Sequence, residues 1–219
     1  MSTLHTFGCS FTAPYRFDGT IGYRQYYHYK NNTFPPIWPE LLSNKLGVSL
    51  NNCGAGGSSN DEIFSTFCQN IDKIKTNDIV IIGWSFMERF RLVDEDINNF
   101  TRIMSNIKPK LKNVSTQTMD EILVNRGEQL WINEVINWER FIRKYLNLID
   151  VKLITWSFDK SFPNEIYILD ELIKLGAETI IMETNGLIND AHMGEIGHIQ
   201  QSEYFYNRLK TESKKTNLI

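Results

Sequence analysis

Apolar residues fall along the chain in two rhythms. The segments at about residues 3–9, Val48-Ser49-Leu50, Asp78 to Ile82, Val151 to Ser157 and Glu178 to Met182 are short and β-prone. The third is apolar after Asp78, the pattern of a strand buried on both faces, and the fourth reads as another buried strand. Between these segments the spacing changes. Ile63, Phe67, Ile71 and Ile74 recur every three or four residues, which predicts one buried helix face within Asp61 to Lys75. Glu40 to Leu46 and Ile166 to Leu175 read as helices stopped by Gly47 and Gly176. A final helix carries Ile196, Ile199, Phe205 and Leu209 on its expected inner face. Strands alternating with helices predict an α/β fold, a three-layer sandwich with a central, mainly parallel sheet flanked by helices.

Two stretches break the alternation. Residues 12–39 crowd Tyr15, Phe17, Tyr23, Tyr26, Tyr27, Tyr29, Phe34 and Trp38 among Pro14, Pro35, Pro36 and Pro39 without clean periodicity. They are expected to form an ordered aromatic loop, which either walls a pocket or pins itself to the body. Residues 95–148 read as a helical insertion divided near Lys108-Pro109 to Thr118. Leu130, Ile132, Val135, Ile136, Trp138, Phe141, Ile142 and Tyr145 give its second half an apolar face. No repeat, low-complexity run or linker composition interrupts the chain, so residues 1–219 are expected to form a single domain.

A net charge of −3 and a pI near 5.8 give no electrostatic case for a nucleic-acid partner. Three cysteines, an odd number without metal-ligand spacing, predict a reducing compartment. Cys9 is expected at a strand end pointing away from the side that Ser10 faces, and Cys53 and Cys68 in the core. No basic, apolar leader and no apolar run of membrane-spanning length is visible. A cytoplasmic location without a membrane partner is therefore expected. Asp190, His192, Glu195 and His198 cluster in sequence, but a third ligand group at helical or hairpin spacing is missing. Neither a metal nor another cofactor is expected.

The chemistry lies near the two ends of the chain and at one turn between them. Phe7-Gly8-Cys9-Ser10-Phe11-Thr12 sets a serine at the tip of the first strand, and Asp190-Ala191-His192 joins a carboxylate to an imidazole. Serine is a poor nucleophile at neutral pH; it needs a base, and the base needs an acid to hold its tautomer. The chain order Ser, Asp, His is neither that of chymotrypsin nor that of subtilisin, and there is no G-x-S-x-G elbow. Asn52-Cys53-Gly54-Ala55-Gly56-Gly57-Ser58-Ser59-Asn60 is a glycine-rich strand-to-helix turn. Its N–H groups suit a developing oxyanion, and the same residues equally suit a plain turn with Ser58, Ser59 or Asn60 as helix cap. It matches neither a P-loop nor a dinucleotide fingerprint.

Together these segments resemble the SGNH (GDSL-type) hydrolases, and look most like small members found in phages and bacteria. The resemblance implies an SGNH-hydrolase-like, flavodoxin-like sheet and a serine esterase acting on a small acyl ester, such as acetyl, of a carbohydrate or similar polar substrate. It puts Ser10 at the nucleophile, His192 at the base and Asp190 at the acid, with the N–H groups of Ser10 and Gly57 in the oxyanion hole. For a phage-encoded member the compartment is the host cytoplasm. Cys9 stands where the family has an aspartate outside the triad. Gly83-Trp84-Ser85-Phe86 stands where the family has Gly-x-Asn-Asp, so the asparagine's side-chain donor is replaced by Ser85, with Asn60 or Arg89 as alternatives. Tyr15, Trp84 and Arg89 are the expected substrate contacts. The same machinery would serve an O-acyltransferase, and the same fold a non-catalytic module that binds a glycan or protein partner.

Overall fold

The computed structural model describes residues 2–14, 36–85, 89–93, 100–104, 128–158, 169–180 and 193–216. In chain order the elements are β1 (Thr3–Phe7), α1 (Trp38–Leu46), β2 (Ser49–Asn52), α2 (Asn60–Asn70), β3 (Ile79–Gly83) and β4 (Arg89–Val93), then β5 (Phe100–Met104), α3 (Glu128–Leu148), β6 (Lys152–Phe158), α4 (Leu169–Lys174), β7 (Glu178–Ile180) and α5 (Glu195–Thr216). Five strands form one sheet in the order β2-β1-β3-β6-β7, and all neighbours are parallel. Because β2 lies on one side of β1 and β3 on the other, the chain reverses its direction of winding between β1 and β3. In open α/β sheets the carboxyl ends of strands at such a reversal diverge and leave a crevice.

The central strand shows why the sandwich has three layers. Every residue of β3 is buried, and its side chains alternate between two cores, as the strand period of two requires. Ile79 and Ile81 join Leu4, Trp38, Leu42, Trp156, Phe205 and Leu209 beneath α1 and α5. Val80 and Ile82 join Phe7, Ile63, Phe67, Val135, Ile142 and Leu172 beneath α2, α3 and α4.

α1 starts two residues before the expected Glu40. Pro39 near its start loses no helical hydrogen bond there, and the Ile37 N–H donates to the Glu40 carboxylate at 3.1 Å. α5 lies beside α1, with the rings of Trp38 and Phe205 4.9 Å apart. It is tied to β7 by Tyr204 and Arg208, which donate to Glu178 at 2.6 and 2.5 Å. No helix among the described residues is long and apolar enough to cross a membrane.

Three expectations are corrected. The span expected to be helical from residue 95 instead contains β5, which pairs antiparallel with β4 as a separate two-stranded sheet, Arg89 opposite Met104 and Val93 opposite Phe100. The sequence carries the reason: Arg89-Phe90-Arg91-Leu92 and Thr101-Arg102-Ile103 alternate polar with apolar at the strand period. On α5, Ile196 and Ile199 are exposed, and the inner stripe runs instead through His198, Gln201, Ser202, Phe205 and Leu209. Cys68 is exposed rather than core, because it follows Phe67 on the outer side of α2. Most of residues 12–39 lie outside the described residues.

Candidate active site

Ser10 stands just beyond the carboxyl end of β1, at the winding reversal. The Thr12 and Ala13 N–H groups both donate to the Cys9 carbonyl, at 2.9 and 3.0 Å, which curls Ser10 and Phe11 into a single helical turn. Cys9, Phe11 and Thr12 are buried, whereas Ser10 is only half-buried. The turn thus presents its serine and hides its neighbours. Close packing explains the glycine at position 8: a Cβ there would stand 2.4 Å from Thr12 Oγ1 and 3.3 Å from the Gly83 carbonyl oxygen.

The glycine-rich turn after β2 is pressed against this one. Cys53 N–H donates to the Thr6 carbonyl at 2.8 Å and Ala55 N–H to the Gly8 carbonyl at 3.0 Å, so pairing with β1 continues past the sheet. Asn52 staples the two turns together. Its amide donates to the Thr12 carbonyl at 2.8 Å, while its oxygen accepts from Thr6 Oγ1 at 3.0 Å and from Gly54 N–H at 2.9 Å. Gly54 lies so close to residues 12 and 13 that a Cβ would meet the Thr12 carbonyl carbon at 2.7 Å and the Ala13 nitrogen at 2.8 Å. Gly57 has a φ of 75°, and three residues later α2 begins with its amino end toward this turn.

The end of β3 completes the wall. Ser85 is buried, and Asn60 on the first turn of α2 grips its backbone from both sides. The Ser85 N–H donates to Asn60 Oδ1 at 2.6 Å, and Asn60 Nδ2 donates to the Ser85 carbonyl at 3.0 Å. Neither the sequence nor its resemblance indicated this clamp. Trp84 is placed otherwise than as a substrate contact: it is 0% exposed, among Phe7, Ile63 and Phe67. Its indole N–H donates to the Glu139 carboxylate at 2.8 Å. Glu139, also 0% exposed, accepts in addition from Arg143 Nε and Thr155 Oγ1, both at 2.6 Å. The signal for this residue was its place on the Val135, Ile142 and Leu146 stripe, with a cation four residues on.

Ser10, Gly57, Asn60 and Ser85 therefore lie on adjoining loops at one end of the sheet. Arg89 is the first residue of β4. Asp190, His192 and Tyr15 lie outside the described residues. His198 is buried at the start of α5, where its Nδ1 accepts the Trp38 backbone N–H at 3.3 Å; the Trp38 indole in turn donates to the Phe11 carbonyl at 2.8 Å. This histidine thus supports the nucleophile turn from behind.

An imidazole–carboxylate pair stands toward the amino end of the sheet. Asn51 Nδ2 donates to His5 Nδ1 at 3.0 Å, leaving Nε2 to donate to Asp78 at 3.1 Å. Burial alone would raise the Asp78 carboxyl, but the Lys75 and Thr3 backbone N–H groups and the His5 ring outweigh it and hold it below its ordinary value. Both residues are buried, His5 in the middle of β1 and Asp78 just before the amino end of β3, so the pair fastens the two strands together. Among the described residues no three His, Cys, Asp or Glu side chains are grouped to hold a metal.

A half-buried serine at the reversal of a parallel sheet, against a glycine-rich turn, defines the class: an open α/β protein with a crevice at the carboxyl ends of its strands. Neither a protein-family model nor a curated protein sequence matches the chain. Solved structures do. One is a carbohydrate esterase whose active site is described as displaying divergent catalytic and non-catalytic binding functions; at 12% identity and a TM-score of 0.52, the match covers 96% of this chain and 65% of that one. Another is Est2A, an acetyl xylan esterase from the rumen bacterium Butyrivibrio proteoclasticus, at 9% identity and a TM-score of 0.52, covering 97% and 64%. A lipolytic protein assigned to the G-D-S-L family, from Desulfitobacterium hafniense, matches at 13% identity and a TM-score of 0.48, covering 94% and 99%. The chain spans less than two thirds of the length of the two esterases. What is shared at these identities is the fold: the chain has the three-layer α/β fold of the two esterases.

Proposed function

We propose that the chain is a serine esterase that removes a small acyl group, such as acetyl, from a carbohydrate or similar polar alcohol. The observation that carries this reading is the seat of Ser10, half-buried between buried Cys9 and Phe11 at the sheet's reversal. Ser10 Oγ attacks the ester carbonyl carbon as its proton passes to His192, and Asp190 orients that ring. The N–H groups of Ser10 and Gly57, with the Ser85 hydroxyl, receive the oxyanion charge. The ester C–O bond breaks, and the departing alcohol takes the proton back from His192. Water, deprotonated by the same imidazole, then releases the acid and restores Ser10. Tyr15 and Arg89 are the substrate contacts. With a second alcohol in place of water the same intermediate gives acyl transfer. All three cysteines are free, which favours a reducing, cytoplasmic setting.

A fluorophosphonate probe and a panel of acetyl esters test the reading. The wild type should be labelled at Ser10 and should hydrolyse at least one ester, and Ser10→Ala should do neither while keeping its thermal midpoint. A label on Ser58, Ser59 or Ser85, or no label and no turnover, overturns it. One observation favours the second reading, a non-catalytic glycan- or protein-binding module: Gly83-Trp84-Ser85-Phe86 carries no asparagine at the oxyanion position. Binding of an acetylated glycan without turnover would support that module.

A further inference from the structure

The segment Gly83-Trp84-Ser85 lacks the asparagine that would bring its own donor to an oxyanion, yet it is held more firmly than a loop end requires. Trp84 N–H donates to the Trp156 carbonyl at 2.9 Å, which carries the β3 pairing one residue past the strand. The Trp84 indole is fixed by Glu139, itself anchored by Arg143 and Thr155. Ser85 is then fixed by the reciprocal pair of bonds to Asn60. Asn60 is buried and sits on α2 directly after the glycine-rich turn, so its position is set by the same backbone that brings Gly57 to the site.

We propose that Asn60 is a positioning residue that fixes the Ser85 backbone, so that the Ser85 hydroxyl is preorganised toward the oxyanion; this rests on the esterase reading above. A hydroxyl on an unconstrained loop has two freedoms, that of the loop and that of its own rotor. The clamp removes the first. It also assigns Asn60 itself, whose amide oxygen and one amide proton are engaged with Ser85, to support rather than to direct donation. Because α2 and the end of β3 are joined through this one side chain, the two sides of the oxyanion hole are set relative to each other.

The test compares Asn60→Ala with Ile74→Val, a core change four residues past the end of α2. Loss of one oxyanion donor costs roughly a hundred- to a thousandfold in rate; a displaced donor should cost less. Asn60→Ala should therefore lower kcat and the rate of fluorophosphonate labelling together by about ten- to a hundredfold, with KM within about twofold. Ile74→Val should leave both rates near wild type. If Asn60→Ala does not fold, Asn60→Asp keeps the size and the acceptor for the Ser85 N–H but loses the donor to its carbonyl. It should lose at least about tenfold in the same two rates. An Asn60 variant that folds and keeps both rates within about threefold overturns the positioning role and leaves the esterase reading intact. A wild type that neither labels at Ser10 nor turns over an ester overturns both.

Discussion

Exchanging Glu139 for glutamine isolates the energy of the buried network behind Trp84. The two side chains have nearly the same volume, so no cavity term enters. Glu139 presents two oxygens to three donors: Trp84 Nε1 on one, Arg143 Nε and Thr155 Oγ1 on the other. Glutamine has one oxygen. Turned toward Arg143 and Thr155, it leaves its NH₂ facing the indole N–H, donor against donor, and an unsatisfied buried donor costs about 1–3 kcal/mol. The two remaining bonds lose their charge assistance, about 1 kcal/mol each. The Arg143 share is discounted because its side chain is 28% exposed and water screens it.

The expected loss is about 3 kcal/mol, which for a chain of this length lowers the thermal midpoint by about 6–12 °C. Urea unfolding and calorimetry of wild type, Glu139→Gln, Trp84→Phe and the double variant measure it. Phenylalanine removes the very donor that glutamine strands, so in the Trp84→Phe background the Glu139 exchange should cost about 1–3 kcal/mol less. A Glu139→Gln protein within about 0.5 kcal/mol of wild type, or a double variant whose loss is simply additive, would refute the account.

The remaining predictions concern the imidazoles and the far end of the sheet. The Asp78 carboxyl is held below its ordinary value, so its contribution is complete above the ordinary carboxyl range near pH 4 and is lost as pH falls through the depressed value. Asp78→Asn should therefore be less stable than wild type at pH 7 and lose less on acidification below about pH 4; urea midpoints along a pH series check this, and identical acid slopes would contradict it. His198→Ala leaves the Trp38 N–H buried without its acceptor and should cost about 1–3 kcal/mol in unfolding free energy. His192→Ala should instead lower kcat by about a thousandfold or more. A stable, inactive His198→Ala beside an active His192→Ala would reverse the two roles.

The sheet was legible in the sequence because β3 is apolar in an unbroken run, the mark of a strand covered on both faces, and because β-prone segments alternate with helical ones along the chain. The placement of Ser10 was legible because a serine three residues past a short β-prone segment sits at that strand's carboxyl end. What escaped was decided by partners distant in sequence. Glu139 stands on an apolar stripe, but the partners that receive its charge, Trp84 and Thr155, come from distant parts of the chain. His5 and Asp78 are 73 positions apart, and nothing local marks them as a pair. The β4–β5 ribbon was hidden among the Asn, Asp and Glu of residues 94–99, which favoured a helical reading over the alternation on either side. Trp84 was expected to touch substrate, but its side chain is turned into the core, where Glu139 from α3 receives its indole N–H.

The bonds from Trp38 to the Phe11 carbonyl and to His198 carry a consequence for the order in which the protein is made. Residues 11 and 198 are about 190 positions apart, and at ~5–20 residues per second a ribosome needs roughly 10–40 s to travel between them. Throughout that interval the Ser10 turn has emerged, but the helix that backs Trp38 has not been synthesised. The nucleophile turn is therefore written first and seated late, after residues 195–209 have closed over α1. A nascent chain paused before that point would expose Trp38 and its neighbours, an apolar surface of the kind chaperones hold.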